Sequence, residues 1–380
     1  MAQFKCASCN TAYPASILMW RCEKCGGPLD AVDLMPMRRA DIAVDRASLW
    51  RYQKALVHQG SVPISLGEGW TPLVDGDWRG RAVQWKCEFV SISGSFKDRG
   101  VAVMINHLLT NSVTHVAEDS SGNAGAAVAT YAAAAKLPCR IYVPAHTSPG
   151  KITQIAATGA EVIRIPGPRQ AVAEAAMADS SGYFYASHNW DPAFLDGIKT
   201  VGYEIWEQTG FGVPDAVVAP TGSGSNLLGC FRAFSELRAA GEVDRLPCLY
   251  GAQSENCEPL ARAFETGADT YVEVATRASI AEGIAVSRPV RSRAVLAAVR
   301  ESGGEIHAVP EASIAVAHAR LARSGLYVEP TSATAVALLE RLLGDGTIGG
   351  TDKVVVILTG SGLKAGELIA RMLEEAAARH

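Results

Sequence analysis

From His115 to the C-terminal region the chain repeats one pattern: a short apolar run, a turn of small polar residues, then a helical stretch rich in alanine or leucine. His115-Val116-Ala117 leads through a Ser-Gly-Asn turn into a helix over Ala126–Ala135. Arg140–Val143 reads as a strand, Gly150–Thr158 as a helix and Glu161–Ile165 as the next strand. Ala216–Ala219 runs into a glycine loop and a helix over Leu227–Leu237. Lys353–Leu358 is a last strand, before Thr359-Gly360-Ser361-Gly362 and a terminal helix. Such alternation predicts an α/β fold with mostly parallel, doubly wound sheets. Ligands then belong in the loops at the carboxyl ends of the strands. A chain of 380 residues is also too long for one comfortable core.

Three of the loops carry chemistry. In Ser93-Gly94-Ser95-Phe96-Lys97-Asp98-Arg99-Gly100 a lysine opens a helix, where the dipole and Arg99 disfavour a second positive charge. Such a lysine suits an amine nucleophile, although a solvated first turn would read much the same. In Ser120-Ser121-Gly122-Asn123-Ala124-Gly125, hydroxyls and backbone N–H groups at a helix start make a carboxylate site. A simple N-cap would account for one of these residues, not for all of them. In Pro220-Thr221-Gly222-Ser223-Gly224-Ser225-Asn226, small residues let backbone amides close round a phosphate. No Gly-Lys-Ser/Thr follows, and the next glycine after Gly224 is Gly229, so neither a Walker loop nor a dinucleotide fingerprint is present.

The cysteines divide into two groups. Cys6-x-x-Cys9 and Cys22-x-x-Cys25 form two pairs able to close a tetrahedral zinc shell with no open position, hence a structural zinc ribbon. Cys87, Cys139, Cys230, Cys248 and Cys257 lie among apolar neighbours and read as small buried hydrophobes. Nine cysteines in all, an odd count, argue against a disulfide framework. The first ten residues lack the apolar run of a secretory signal, so a cytoplasmic protein is expected. A net charge of −4 gives no case for nucleic acid or an anionic membrane, and no run approaches the roughly 18 apolar residues of a span.

Taken in order, the three loops resemble those of fold type II pyridoxal-phosphate enzymes, the tryptophan synthase β-like fold, and within them the threonine synthase family. The resemblance extends from Leu66-Gly67-Glu68-Gly69-Trp70-Thr71-Pro72-Leu73 to Leu358-Thr359-Gly360-Ser361-Gly362-Leu363-Lys364. It takes in Gly150-Lys151, Asp191-Pro192, Gly197-Ile198-Lys199-Thr200 and Val328-Glu329-Pro330-Thr331-Ser332-Ala333. It implies two doubly wound domains with pyridoxal 5'-phosphate between them. The expected divisions are a zinc-ribbon-like segment over 1–30, a linker over 31–48, a large domain from 49–95 and 187–380, and a small domain over 96–186. It further implies that Lys97 is the Schiff-base lysine and proton carrier, and that Asn123 bonds the phenolic oxygen of the cofactor. Gly222, Ser223, Gly224, Ser225 and Asn226 would hold its phosphate, and Thr359 would meet the pyridine nitrogen. Ser120, Ser121 and Gly122 would face the substrate carboxylate, with Ala124 and Phe194 nearby.

Phe194 stands where threonine synthases usually carry an arginine for the phosphate of O-phosphohomoserine, and Ala124 where many carry threonine. Weak handling of a phosphorylated substrate follows, unless Lys151, Arg164, Arg169 or His188 compensates. The leading expectation is a threonine synthase-like lyase, a homodimer acting on a small amino acid with a β- or γ-leaving group. Ala281-Glu282-Gly283-Ile284-Ala285-Val286 is similar to strings in serine and threonine dehydratases. A β-eliminating ammonia-lyase or β-replacement synthase is therefore the alternative. A non-catalytic ligand sensor is the alternative of another class, disfavoured by three intact loops.

Overall fold

The computed structural model describes residues 2–377 apart from 60, 61, 148, 168 and 180. Thirteen strands run along the described chain: β1 Gln3–Cys6, β2 Ala12–Pro14, β3 Leu29–Val32, β4 Leu73–Trp78, β5 Arg81–Cys87, β6 Val116–Glu118, β7 Cys139–Pro144, β8 Glu161–Ile165, β9 Phe184–Tyr185, β10 Ala216–Pro220, β11 Cys248–Ser254, β12 Ile306–Val309 and β13 Val354–Leu358. They divide between two compact units, residues 1–70 with 91–200 and residues 71–90 with 201–380.

The first unit holds a four-stranded parallel sheet in the order β8-β7-β6-β9. Its helices include Lys97–Thr110, Asn123–Ala134 and Pro192–Ile198, the first of which packs against both others. The small antiparallel sheet β2-β1-β3 belongs to this unit too. Trp20, carried by the cysteine-bearing segment, stands edge-on to Tyr185 and Trp190, with centroids 5.0 and 5.7 Å away. The segment is therefore part of this unit's core rather than an appendage.

The second unit is built on a six-stranded sheet, β12-β11-β10-β13-β5-β4, parallel except for the edge pair β4–β5. Its central strands β10 (Ala-Val-Val-Ala-Pro) and β13 (Val-Val-Val-Ile-Leu) are buried throughout. Unbroken apolar runs of this kind are what a parallel strand covered on both faces requires.

The units part at other residues than the sequence suggests. Residues 49–70 lie with the four-stranded sheet because Val57 N–H donates to Asp196 Oδ2 at 2.7 Å and Lys199 Nζ donates to Ala55 O at 2.8 Å. The stretch expected to be a linker, 31–48, begins inside β3 and buries Met37 and Ile42, so its charged residues lie over an apolar footing. Of the five scattered cysteines, four are buried and Cys248 is half-buried, as small hydrophobes should be.

Candidate active site

The sequence-predicted residues for cofactor and substrate stand in the first turn of a helix, or in a loop that follows the carboxyl end of a parallel strand. In the first unit, Lys97 opens the helix Lys97–Thr110. The loop before it is shaped by its neighbour: the buried carboxylate of Asp98 accepts the Ser93 N–H at 2.7 Å and also the Ser93 hydroxyl. Gln154 Nε2 donates to Ser93 O at 3.0 Å, closing the loop from outside. Lys97 Nζ lies 4.6 Å from the centroid of the Phe96 ring and 5.5 Å from that of Phe194. An ammonium over aromatic faces gains little when exposed, but more as water is excluded.

Phe194 is buried in the contact between helices Lys97–Thr110 and Pro192–Ile198. That close approach needs glycine at position 100, because a Cβ there would lie 2.5 Å from two carbons of the Phe194 ring.

Strand β6 feeds the second loop. Ser120 Oγ accepts the Gly122 N–H at 3.3 Å, and Asn123 is the first residue of the helix Asn123–Ala134. Three N-terminal peptide groups of such a helix face outward without intrahelical partners, which suits a carboxylate. Ala124 is buried beneath them.

In the second unit, β10 ends on Pro220 and the helix Ser225–Ala239 begins four residues later. Gly224 has φ +79°, and a Cβ on it would meet Val295 at 2.5 Å, so backbone shape and space both demand glycine. Gly222 lies against Ile284 and Val286, the segment similar to dehydratase strings. Strand β13 pairs in parallel with β10 and ends one residue before Thr359, so Thr359 and the glycine loop occupy the same end of neighbouring strands. Ser332 fixes Thr359: its Oγ accepts the Thr359 and Gly360 N–H groups at 2.9 and 3.1 Å and lies 3.1 Å from Thr359 Oγ1.

Taken one unit at a time, the loops offer donors of the kinds that the implied cofactor needs. The N–H groups at the start of a 15-residue helix suit its phosphate. The Thr359 hydroxyl suits a ring nitrogen. Beside Lys97, the buried Ser95 Oγ has no hydrogen-bond partner among the described residues. An unmet buried hydroxyl costs free energy unless something bound satisfies it.

Not every candidate cation is at hand. Arg164 spends Nη1 on the carbonyls of Ala145 and Thr147, at 3.0 and 3.2 Å. Arg169 spends its own on Asp119 Oδ2 at 2.5 Å. The side chain of Lys151 lies outside the described residues. His188 does reach this region, its ring edge-on to Phe194 with centroids 6.0 Å apart. Two supports escape a reading of the sequence: Ser332 under Thr359, and Glu118 under His188.

The cysteine cluster forms as the spacing predicts. The four Sγ atoms of Cys6, Cys9, Cys22 and Cys25 lie within 4.8 Å of one another, with Cys6–Cys25 at 3.4 Å and Cys9–Cys22 at 3.6 Å. Backbone N–H groups of Ser8 and Cys9 point at Cys6 Sγ, at 3.4 and 3.5 Å, an arrangement that stabilises thiolate charge. No helix among the described residues is long and apolar enough to cross a membrane.

Residues 64–360 match the model of a family described as pyridoxal-phosphate dependent enzyme. The threonine synthase of Methanosarcina acetivorans is 34% identical over 99% of this chain and 95% of its own. That of Methanocaldococcus jannaschii is 32% identical over 98% and 95%. Among solved structures, maize serine racemase superposes with a TM-score of 0.66 at 21% identity, covering 79% of this chain and 89% of that one, a likeness of fold.

Proposed function

Because the chain belongs to the pyridoxal-phosphate-dependent enzyme family, we propose that it is a threonine synthase-like lyase that converts O-phosphohomoserine and water to threonine and phosphate. The observation that carries this reading is the likeness to two archaeal threonine synthases along 98–99% of the chain, the cysteine segment included. When bound, the cofactor supplies an electron sink for the bond-breaking at the substrate's α-carbon.

Everything else falls to the chain's own residues. Lys97 Nζ would anchor the cofactor and would take protons from the substrate and return them. Asn123 would donate to the phenolic oxygen, the amides of Gly222 to Asn226 would hold the phosphate, and Thr359 would meet the ring nitrogen. A neutral hydroxyl there would leave that nitrogen largely unprotonated, which would limit the cofactor as an electron sink. Ser120, Ser121 and Gly122 receive the substrate carboxylate.

Phe194 supports a second reading, β-elimination from a hydroxy amino acid to a 2-oxo acid and ammonia. A ring, not a guanidinium, lies near Lys97 Nζ. One assay separates the two. Purified protein is offered O-phosphohomoserine, threonine, serine and O-acetylserine, with phosphate and 2-oxo acid release both followed. Phosphate release with threonine formation is expected, saturating above micromolar substrate for want of the guanidinium. Release of 2-oxo acid alone would replace the first reading with the second.

Cys6, Cys9, Cys22 and Cys25 are read as one structural zinc site. Tetrahedral Zn–S bonds of about 2.3 Å place sulfurs about 3.8 Å apart, in keeping with the spacings here. Metal analysis should find one zinc per chain. Stripping it should lower the melting temperature while changing turnover per folded molecule much less, because the loop that carries Trp20 against Tyr185 would lose its clasp. Metal-free protein of unchanged stability would remove the idea. Nine unbridged thiols suit a reducing cytoplasm, and a homodimer is the expected assembly.

A further inference from the structure

Strand β6 ends on Glu118, a fully buried carboxyl whose two oxygens both serve one residue. Oε2 accepts the backbone N–H of His188 at 3.0 Å, and Oε1 lies 2.7 Å from His188 Nδ1. One carboxyl thus holds both the backbone and the Nδ1 edge of His188, which restrains how the ring can turn. Its other nitrogen, Nε2, makes no hydrogen bond among the described residues, and the side chain keeps 12% exposure. The ring stands at 74° to Phe194, the same ring that Lys97 Nζ approaches at 5.5 Å. A restrained imidazole and the lysine thus flank one aromatic side chain.

The reaction has a use for such a group. When the C–O bond of a phosphate monoester dianion breaks, its electron pair stays on oxygen, and phosphate leaves as a trianion unless it gains a proton. Resting on the functional reading above, we propose that His188 is the acid that protonates the departing oxygen through Nε2, and that Glu118 is the positioning residue that resupplies it through Nδ1. As the C–O bond breaks, the Nε2–H bond breaks and an O–H bond forms on the leaving group. The Glu118 hydroxyl proton passes to Nδ1, so the imidazole stays neutral and the carboxyl becomes carboxylate. Solvent returns one proton to the pair after the product departs.

The electrostatics agree with this starting state. Burial, reinforced by Asp119, holds the Glu118 carboxyl well above its ordinary range. Burial, then the charges of Lys97 and Arg169, holds His188 well below its own. A carboxylic acid bonded to a neutral imidazole is the pairing both directions favour, and in it Nε2 carries the hydrogen.

The test uses the holoenzyme and two substrates, O-phosphohomoserine and 2-amino-4-chlorobutanoate, whose chloride leaves without a proton. His188→Gln should lower kcat on the phosphorylated substrate about 100-fold, within the range for losing general acid catalysis. On the chloro compound it should change kcat only a few-fold, and KM little on either. Glu118→Gln, whose amide still donates to Nδ1, should preserve the tautomer yet lower kcat on the phosphorylated substrate. Nitrogen NMR of histidine-labelled holoenzyme should show Nε2 protonated at neutral pH. Equal losses on both substrates, or no loss on either, would overturn the acid role, as would a bare Nε2. Wild-type protein that releases neither phosphate nor chloride would sink the functional reading and the acid role with it. A wild type that releases both, beside an indifferent His188→Gln, would sink the acid role alone.

Discussion

Lys97→Ala is expected to fold normally, to lose the visible absorbance of a lysine-bound cofactor, and to turn over at least about 10²–10⁴-fold more slowly from the missing proton transfer alone. The fold should survive because the loop is tied together by its neighbour's carboxylate. Asp98, not Lys97, holds Ser93, and alanine is the best helix former for a first-turn position. Two other buried lysines are already committed. Lys86 Nζ binds Glu204 Oε2 at 2.7 Å together with Thr71 O and Gln208 Oε1. Lys199 Nζ binds Asp196 Oδ1 at 2.8 Å together with Ala55 O. Freeing either would strand a buried carboxylate, at a cost of about 3–5 kcal/mol. Neither can stand in. Borohydride treatment of the variant followed by peptide mapping checks this; a reduced cofactor adduct on another lysine would show that the anchor lies elsewhere.

How far the chain could be read from its letters depends on how far apart in sequence the cooperating residues lie. Strand β8 forms at the expected residues, Glu161–Ile165, because the β-branched Val162, Ile163 and Ile165 between two turns favour an extended chain. The helix expected from Ala126 begins instead at Asn123. Asparagine and glycine read as turn residues, yet here the asparagine makes the first helical turn. The lysine loop and the glycine loop stand out in the sequence because each is contiguous, and the clustering of the four cysteines could be expected because paired thiols have few other uses. Glu118 and His188 are 70 positions apart, and each alone is bland: a strand-end carboxylate and a loop histidine. Ser332 and Thr359, 27 apart, pose the same difficulty. The division between units was also hidden, since it rests on Val57 and Lys199 reaching polar groups far along the chain.

Phe194→Arg sets two effects against each other, and their magnitudes decide the outcome. The wild-type ring is 1% exposed and fills the space kept open by Gly100. Removing it forfeits about 3 kcal/mol of packing. Two acidic groups of this unit are already engaged: Asp196 by Lys199 and the Val57 N–H, and Glu118 by His188. It would also lie near the Lys97 ammonium, which approaches the wild-type ring at 5.5 Å. Against these costs, charge-assisted hydrogen bonds to a phosphate are worth about 1.5–3 kcal/mol each, but only when phosphate is present. The free variant should therefore melt about 5–10 °C lower than the wild type, taking about 3 kcal/mol as the net loss. Millimolar phosphate should restore more stability to the variant than it adds to the wild type. The response to O-phosphohomoserine, measured below the melting onset, should rise relative to that for neutral substrates. A variant that melts with the wild type and ignores phosphate would show that position 194 does not face the leaving group. Saturation of the unmodified protein at micromolar O-phosphohomoserine would show that the site handles the phosphate without a guanidinium at all.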